Sequence, residues 1–226
     1  MAPEIRAITL HGRLYQVNCY LVRGAAGFVL VDTGLATRRT ELLRALEAAA
    51  CRPGDLSLIV LTHGDADHAG NAAHLRRAYD TPIAAHRAEW AAVERGNMRL
   101  SRGEMTFAQR MVAGILFRVA GLRRRDRFRP DLEVGEGYDL SAHGFDARVL
   151  DLPGHSRGSI GILTAEGDLL CGDLLTSLGR PEPNTLVDDP AALAASVARL
   201  RGLEVRTIHP GHGRPFRPDE LAAEGR

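Results

Sequence analysis

The chain has 226 residues, 45% hydrophobic and 25% charged, with a formal net charge of +1. That is enough chain for one domain with a sizeable core, and it lacks the basic field that nucleic acid or an anionic membrane attracts. All 29 residues in the Lys plus Arg count are arginine, which excludes Schiff-base, pyridoxal-phosphate and phosphate-loop lysine chemistry. Catalysis must then come from His, Asp, Glu, Cys, Ser, Tyr or a metal, and the nine histidines are the first place to look.

Short β-branched runs predict strands at Ile5–Leu10, Gln16–Val22 and Gly27–Asp32. Leu42, Leu43, Leu46 and Ala49 recur at helical spacing within Thr37–Ala50. The continuous apolar run Leu56–Thr62 reads as a strand buried on both faces. A helix over Ala66–Tyr79 and a short strand at Thr81–Ala85 follow. His86–Leu122 is predicted helical, with Met105, Met111, Ile115 and Leu116 on one face, as a lid, a core-packing element or a dimer contact. The last third returns to strands at Tyr138–Leu140, Phe145–Leu152, Ser159–Thr164 and Asp168–Cys171, then a helix at Pro190–Leu200 and a strand at Val205–Ile208. This order suits a sheet-and-helix sandwich with a helical insertion. Met1–Leu10 has no charged region followed by an apolar run, and Cys19, Cys51 and Cys171 form neither a CxxC pair nor a disulfide framework. The expectation is a cytoplasmic protein with reduced, buried cysteines.

Five short segments carry candidate chemistry, each where a predicted strand ends. Thr62-His63-Gly64-Asp65-Ala66-Asp67-His68 places four potential metal ligands within six residues, of the imidazole and carboxylate types that suit Zn, Fe or Mn. Pro153-Gly154-His155-Ser156 aims an imidazole from a tight turn. Cys171-Gly172-Asp173 offers a carboxylate whose two oxygens can bridge two metals. His209-Pro210-Gly211-His212-Gly213 adds one or two imidazoles, and Val31-Asp32-Thr33-Gly34 adds a carboxylate able to orient ligands from behind.

In this order, Asp-Thr-Gly, Thr-His-x-x-x-Asp-His, Pro-Gly-His, Gly-Asp and Pro-Gly-His-Gly, the motifs resemble the metallo-β-lactamase-fold superfamily over residues 5–216. The resemblance implies one domain spanning 1–226, an α/β four-layer αββα sandwich, with the helical segment at about 86–122 as an insertion. It implies two divalent metal ions, zinc by family habit, in a cleft at one edge. His63 and His155 would hold the first, Asp67, His68 and His212 the second, and Asp173 would bridge. Asp32 and His209 would support the ligands without binding metal. The sequence departs from the family's His-x-His-x-Asp-His by placing Asp65 where the second histidine stands. A third carboxylate makes the cluster more neutral and its donors harder, tilting preference toward Mn or Fe.

The implied activity is that of a hydrolase in which metal-activated water attacks a small acyl substrate, a thioester or lactone, with Asp67 orienting the nucleophile as well as binding. Two other activities remain on the same fold. One is a phosphodiesterase or ribonuclease, for which Arg123, Arg124, Arg125, Arg127 and Arg129 could contact phosphates, although a solvated charge run is the commoner meaning of such a stretch. The other is an iron-dependent redox or sulfur enzyme. The expected partner is a small molecule, with a homodimer possible through the insertion and neither membrane nor nucleic acid required.

Overall fold

The computed structural model describes residues 4–12, 16–101 and 122–221. The first sheet contains β1 (Glu4–His11), β2 (Gln16–Gly24), β3 (Gly27–Val31), β4 (Leu56–Leu61), β5 (Ile83–Ala85) and β6 (Leu132–Glu133), hydrogen-bonded in that order. β1, β2 and β3 are antiparallel, while β3 through β6 run parallel. The helices between them are α1 (Arg39–Ala48), α2 (Ala66–Ala69), α3 (Ala72–Tyr79) and α4 (Trp90–Arg95). The second sheet contains β7 (Ala147–Asp151), β8 (Ile160–Thr164), β9 (Asp168–Ser177) and β10 (Glu182–Pro183), with β11 (Thr207–Gly213) parallel to β9. The helix α5 (Pro190–Arg199) precedes β11 and is capped by Asp189, whose carboxylate accepts from the backbone N–H groups of Ala191 and Ala192.

Three apolar clusters separate four layers. The period-2 alternation of β2 sends Val17, Cys19 and Leu21 outward to α1 and α3, and Tyr20 and Val22 inward to the other sheet. β4 is buried on both faces, with Ile59 and Leu61 outside and Leu58 and Val60 inside. In the second sheet Val149, Ile162 and Leu170 face inward, whereas Leu150, Leu169 and Cys171 pack outward with Leu193 and Val197 of α5. This is the four-layer αββα arrangement expected from the motifs. Among the described residues, no helix is long and apolar enough to cross a membrane.

The elements differ from the sequence reading at four places. The helix expected over Ala66–Tyr79 is broken between α2 and α3, where the Asn71 side-chain amide donates to the carbonyls of Thr33 and Leu35 and ties the break to the β3 loop. The segment read as one helix from His86 is a 3₁₀ turn at Arg87–Glu89, α4, a left-handed Gly96 and a second 3₁₀ turn at Met98–Ser101. The expected lid face, Met105, Met111, Ile115 and Leu116, lies outside the described residues. Tyr138–Leu140 contributes only an isolated bridge, Asp139 to Arg148. β9 and β11 both run past their predicted ends, so Asp173 and His212 lie within strands and not in the loops after them.

The five arginines of the basic run are exposed. Asp126, buried, pairs with Arg39 at 2.8 Å, and Arg129 lies 3.7 Å from Glu94 with its guanidinium 5.6 Å from the Trp90 ring centroid.

Candidate metal centre

Parallel strands deliver their carboxyl ends to one edge, which is where α/β sheets build sites. Asp32 follows β3 and His63 through His68 follow β4. The second sheet brings His155 on the loop after β7, Asp173 from β9 and His212 from β11. The His155 turn needs Gly154 in its left-handed conformation (φ 139°), where a Cβ would overlap the backbone of Leu193 on α5.

The side chains form two adjoining groups. His63, His155 and Asp173 make one, and Asp67, His68 and His212 make the other; within each group, potential ligand atoms lie within 4.8 Å of one another. Asp173 sits between the groups. Its Oδ1 is 3.3 Å from His68 Nε2, and its Oδ2 is 3.2 Å from His212 Nε2 and 3.9 Å from His155 Nε2. Asp65 joins the first group, with Oδ2 at 3.2 Å from His155 Nε2 and 3.7 Å from His63 Nε2. Asp67 Oδ2 is 3.6 Å from His212 Nε2.

Each imidazole is fixed by its other nitrogen. His68 Nδ1 donates to Asp32 Oδ2 at 2.8 Å, His155 Nδ1 to the Leu186 carbonyl at 2.6 Å and His212 Nδ1 to the Gln16 carbonyl at 2.5 Å. Thr62 donates its hydroxyl to Asp32 Oδ2 at 2.8 Å, so its oxygen accepts from His63 Nδ1 at 3.0 Å. Protons on all four Nδ1 atoms leave the Nε2 lone pairs facing inward, the tautomer a metal requires. Asp32 also accepts the Thr62 backbone N–H, and it holds a left-handed backbone (φ 59°), a strain of about 1–3 kcal/mol that functional sites tolerate.

The electrostatics describe a cluster built around positive charge. Burial works against a charged His68, yet the carboxylates of Asp173, Asp32 and Asp67 raise its pKa well above the usual value. Burial likewise opposes charge on His212, but Asp173 raises it to about 9. Burial pushes Asp173 up, and His212 and His68 overcome this and hold it well below the carboxylate range. Burial raises Asp67, with His68 and His212 opposing. His63 is pushed well below the ordinary histidine value by burial, then by His68 and His155.

The residues fit divalent metal. His63 Nε2 is buried without a hydrogen-bond partner, an expensive state for a polar atom in a folded interior, and His68 Nε2 and Asp173 Oδ1 are buried facing each other at 3.3 Å. Imidazole nitrogens and carboxylate oxygens converging from fixed side chains are the donor set of a Zn, Fe or Mn site.

His209 is the sequence-predicted residue that the structure places elsewhere. Register shifts on either side of Pro210 turn it away from His212. Its Nε2 bonds Asp168 Oδ1 at 2.8 Å, and its ring packs edge-on to Tyr20 at 5.4 Å. Sequence reasoning missed three residues that touch the centre. Thr62 relays Asp32 to His63, and only its position before His63 hinted at this. Asn184 donates to Asp173 Oδ2 at 3.3 Å. Glu89, buried in the insertion, accepts from both ligand-bearing loops. Neither Asn184 nor Glu89 lies in a motif.

A sequence profile of the metallo-beta-lactamase superfamily matches residues 12–212. The chain is 30% identical over 221 residues to acyl-coenzyme A thioesterase MBLAC2 from Bos taurus, covering 91% of this chain and 76% of that protein. It is 30% identical over 198 residues to hydroxyacylglutathione hydrolase from Anaeromyxobacter dehalogenans, covering 85% of this chain and 60% of that one. Among solved structures, TTHA1623 in a di-iron-bound form gives a TM-score of 0.70 at 30% identity, covering 94% of both chains. The BLEG-1 B3 metallo-beta-lactamase gives 0.73 at 22% identity, covering 96% of this chain and 95% of that one, a likeness of fold alone. With the profile spanning most of its length and the ligand-type residues gathered at one sheet edge, the chain belongs to the metallo-beta-lactamase superfamily.

Proposed function

We propose that this metallohydrolase cleaves acyl thioesters with two divalent ions held by His63, Asp65, His155 and Asp173 on one side and Asp67, His68, His212 and Asp173 on the other. The observation that carries the reading is the pair of His/Asp groups meeting at one carboxylate, Asp173, whose Oδ1 lies nearest His68 and whose Oδ2 lies between His212 and His155. Relatives named as a thioesterase and as a hydroxyacylglutathione hydrolase support the thioester class. When bound, the ions supply Lewis acidity toward the acyl carbonyl and acidify water.

The chain's own residues do the rest. Asp67 is the most open of the proposed ligands, with 20% of its side chain exposed against 11% for His212 and less for the others. Its place on the open side of the group suits it to holding water by hydrogen bond. Asp32 and Thr62 keep His68 and His63 in one tautomer while charge changes nearby. Leu186, whose carbonyl anchors His155, leaves its side chain 74% exposed, an apolar contact for an acyl chain. A thiol with a pKa of about 8.5 departs as thiolate without a general acid, so the absence of lysine costs this reaction nothing.

Asp65 enriches the first group in oxygen, which favours manganese or iron over zinc there. A phosphodiesterase remains the second reading, since Arg123, Arg124, Arg125, Arg127 and Arg129 are exposed, although Arg129 also lies 3.7 Å from Glu94.

The test is a substrate screen of acyl-coenzyme A, acylglutathione, lactone and phosphodiester substrates, before and after chelation. Thioester hydrolysis that is lost on chelation and restored by manganese, iron or zinc supports the proposal. Chelator-resistant hydrolysis, or a preference for phosphodiesters, contradicts it.

A further inference from the structure

The insertion that begins after β5 sends one acidic side chain into the interior. Glu89 ends the 3₁₀ turn Arg87–Glu89 and is 1% exposed. The turn is held by His86 Nδ1, which accepts from Ala88 N at 3.2 Å, and by Trp90 Nε1, which donates to the Ala85 carbonyl at 3.1 Å. Glu89 divides its two oxygens between two loops. Oε2 accepts from Gly64 N at 2.8 Å, and Oε1 accepts from Ser156 Oγ at 2.8 Å and Gly158 N at 3.0 Å.

These partners are the neighbours of proposed ligands. Gly64 lies between His63 and Asp65, and Ser156 follows His155. The two loops come from different sheets, after β4 and after β7, and the carboxylate spans the gap between them. The fit is close on both sides. A Cβ on Gly64 would come 2.8 Å from Glu89 Oε2, and one on Gly158 would come 2.8 Å from Oε1. A third link ties the same loop to the insertion, since Arg157 N donates to the Ser101 carbonyl at 3.1 Å.

We propose that Glu89 is a positioning residue for the metal site nearest His63 and His155: its carboxylate clamps the two ligand loops at the separation one ion requires, and it couples the insertion to that ion. The proposal rests on the two-metal reading above. The geometry makes it selective. His68 and His212 are oriented by Asp32 and by the Gln16 carbonyl, neither of which involves Glu89. Only a group with two acceptors can serve both loops. Glutamine offers one acceptor oxygen, and its amide would face a backbone N–H on one side or the Ser156–Gly158 donors on the other.

The experiment is a stepwise titration of metal-stripped full-length protein with Co²⁺ alone, followed by visible absorption, for wild type, Glu89→Gln and Ser156→Ala. Thermal melting of each is recorded alongside. Partners of metal ligands typically change affinity by about 10–100-fold. The expected result is that Glu89→Gln weakens one of two cobalt ions by that factor and alters its absorption band, while the other ion binds as in wild type. With a thioester, kcat should fall while KM holds. Ser156→Ala, which removes one of three donors, should shift the same ion by a smaller factor. Unchanged binding of both ions, or equal weakening of both with a lowered melting temperature, overturns the proposal. If Glu89→Gln does not fold, Ser156→Ala decides on the same criterion, and no selective shift overturns it. If wild type binds no cobalt, the two-metal reading falls and this proposal with it; if wild type binds two and the variants bind both equally well, this proposal alone falls.

Discussion

The two halves of the candidate centre are built differently. The half around His68 and His212 has one imidazole backed directly by a carboxylate, Asp32, and the other by a carbonyl of β2. The half around His63 and His155 has weaker direct backing, a threonine hydroxyl and the Leu186 carbonyl, and draws in a further carboxylate, Asp65. A charged partner raises an imidazole's basicity more than a neutral one does. Tighter, more conventional binding is therefore expected at the His68 half. The His63 half is expected to depend on loop geometry and to prefer harder metals.

Asp173 belongs to both halves, so its loss should be felt most. Asp173→Ala should reduce both metal occupancies and lower thioester hydrolysis by more than about 100-fold, beyond the range typical of groups that only support ligands. Retention of two ions by that variant, counted by elemental analysis, would remove Asp173 from its bridging place.

Asp32→Asn comes next. Asparagine tolerates the left-handed backbone at this position, but it cannot accept from Thr62 N, Thr62 Oγ1 and His68 Nδ1 together. Metal affinity should fall by about 10–100-fold, mostly at the His68 half, as read by competition with a chromophoric chelator. A loss confined to the His63 half would reverse the comparison.

Asp65→His tests the donor argument. It should move preference from manganese or iron toward zinc without changing the number of ions bound, as measured by loading from an equimolar mixture. An unchanged metal ratio would leave Asp65 with no part in selection. The smallest effect is expected from Thr62→Val, which removes the hydroxyl between Asp32 and His63 while sparing the backbone bond. Affinity at the His63 half alone should weaken, by less than about 10-fold, below the charged-partner case. An effect as large as that of Asp32→Asn would mean the relay, and not the direct carboxylate, dominates.

Much of this was readable from residue order. The run Leu56–Thr62 announced a strand buried on both faces, and β4 is that strand. The five motifs named the side chains that meet at the edge because each stands where a strand delivers it. What escaped the sequence depends on partners distant along the chain. Glu89 looks like any acid in a helical stretch, and its partners are two backbone N–H groups and a serine hydroxyl up to 69 residues away. Asn184 is equally anonymous until the chain after β9 folds back on Asp173. His209 lies apart from the ligands for the opposite reason. It shares a motif with His212, but the irregular pairing around Pro210 separates their directions. The break between α2 and α3 was hidden because Asn71 is fixed by carbonyls of a different loop.

If two ions share the Asp173 carboxylate, native mass spectrometry of the metal-saturated chain should count two ions per chain in wild type, one in His63→Ala and one in His68→Ala. A wild-type chain that saturates with a single ion, or a His63→Ala variant that still holds two, would contradict that sharing.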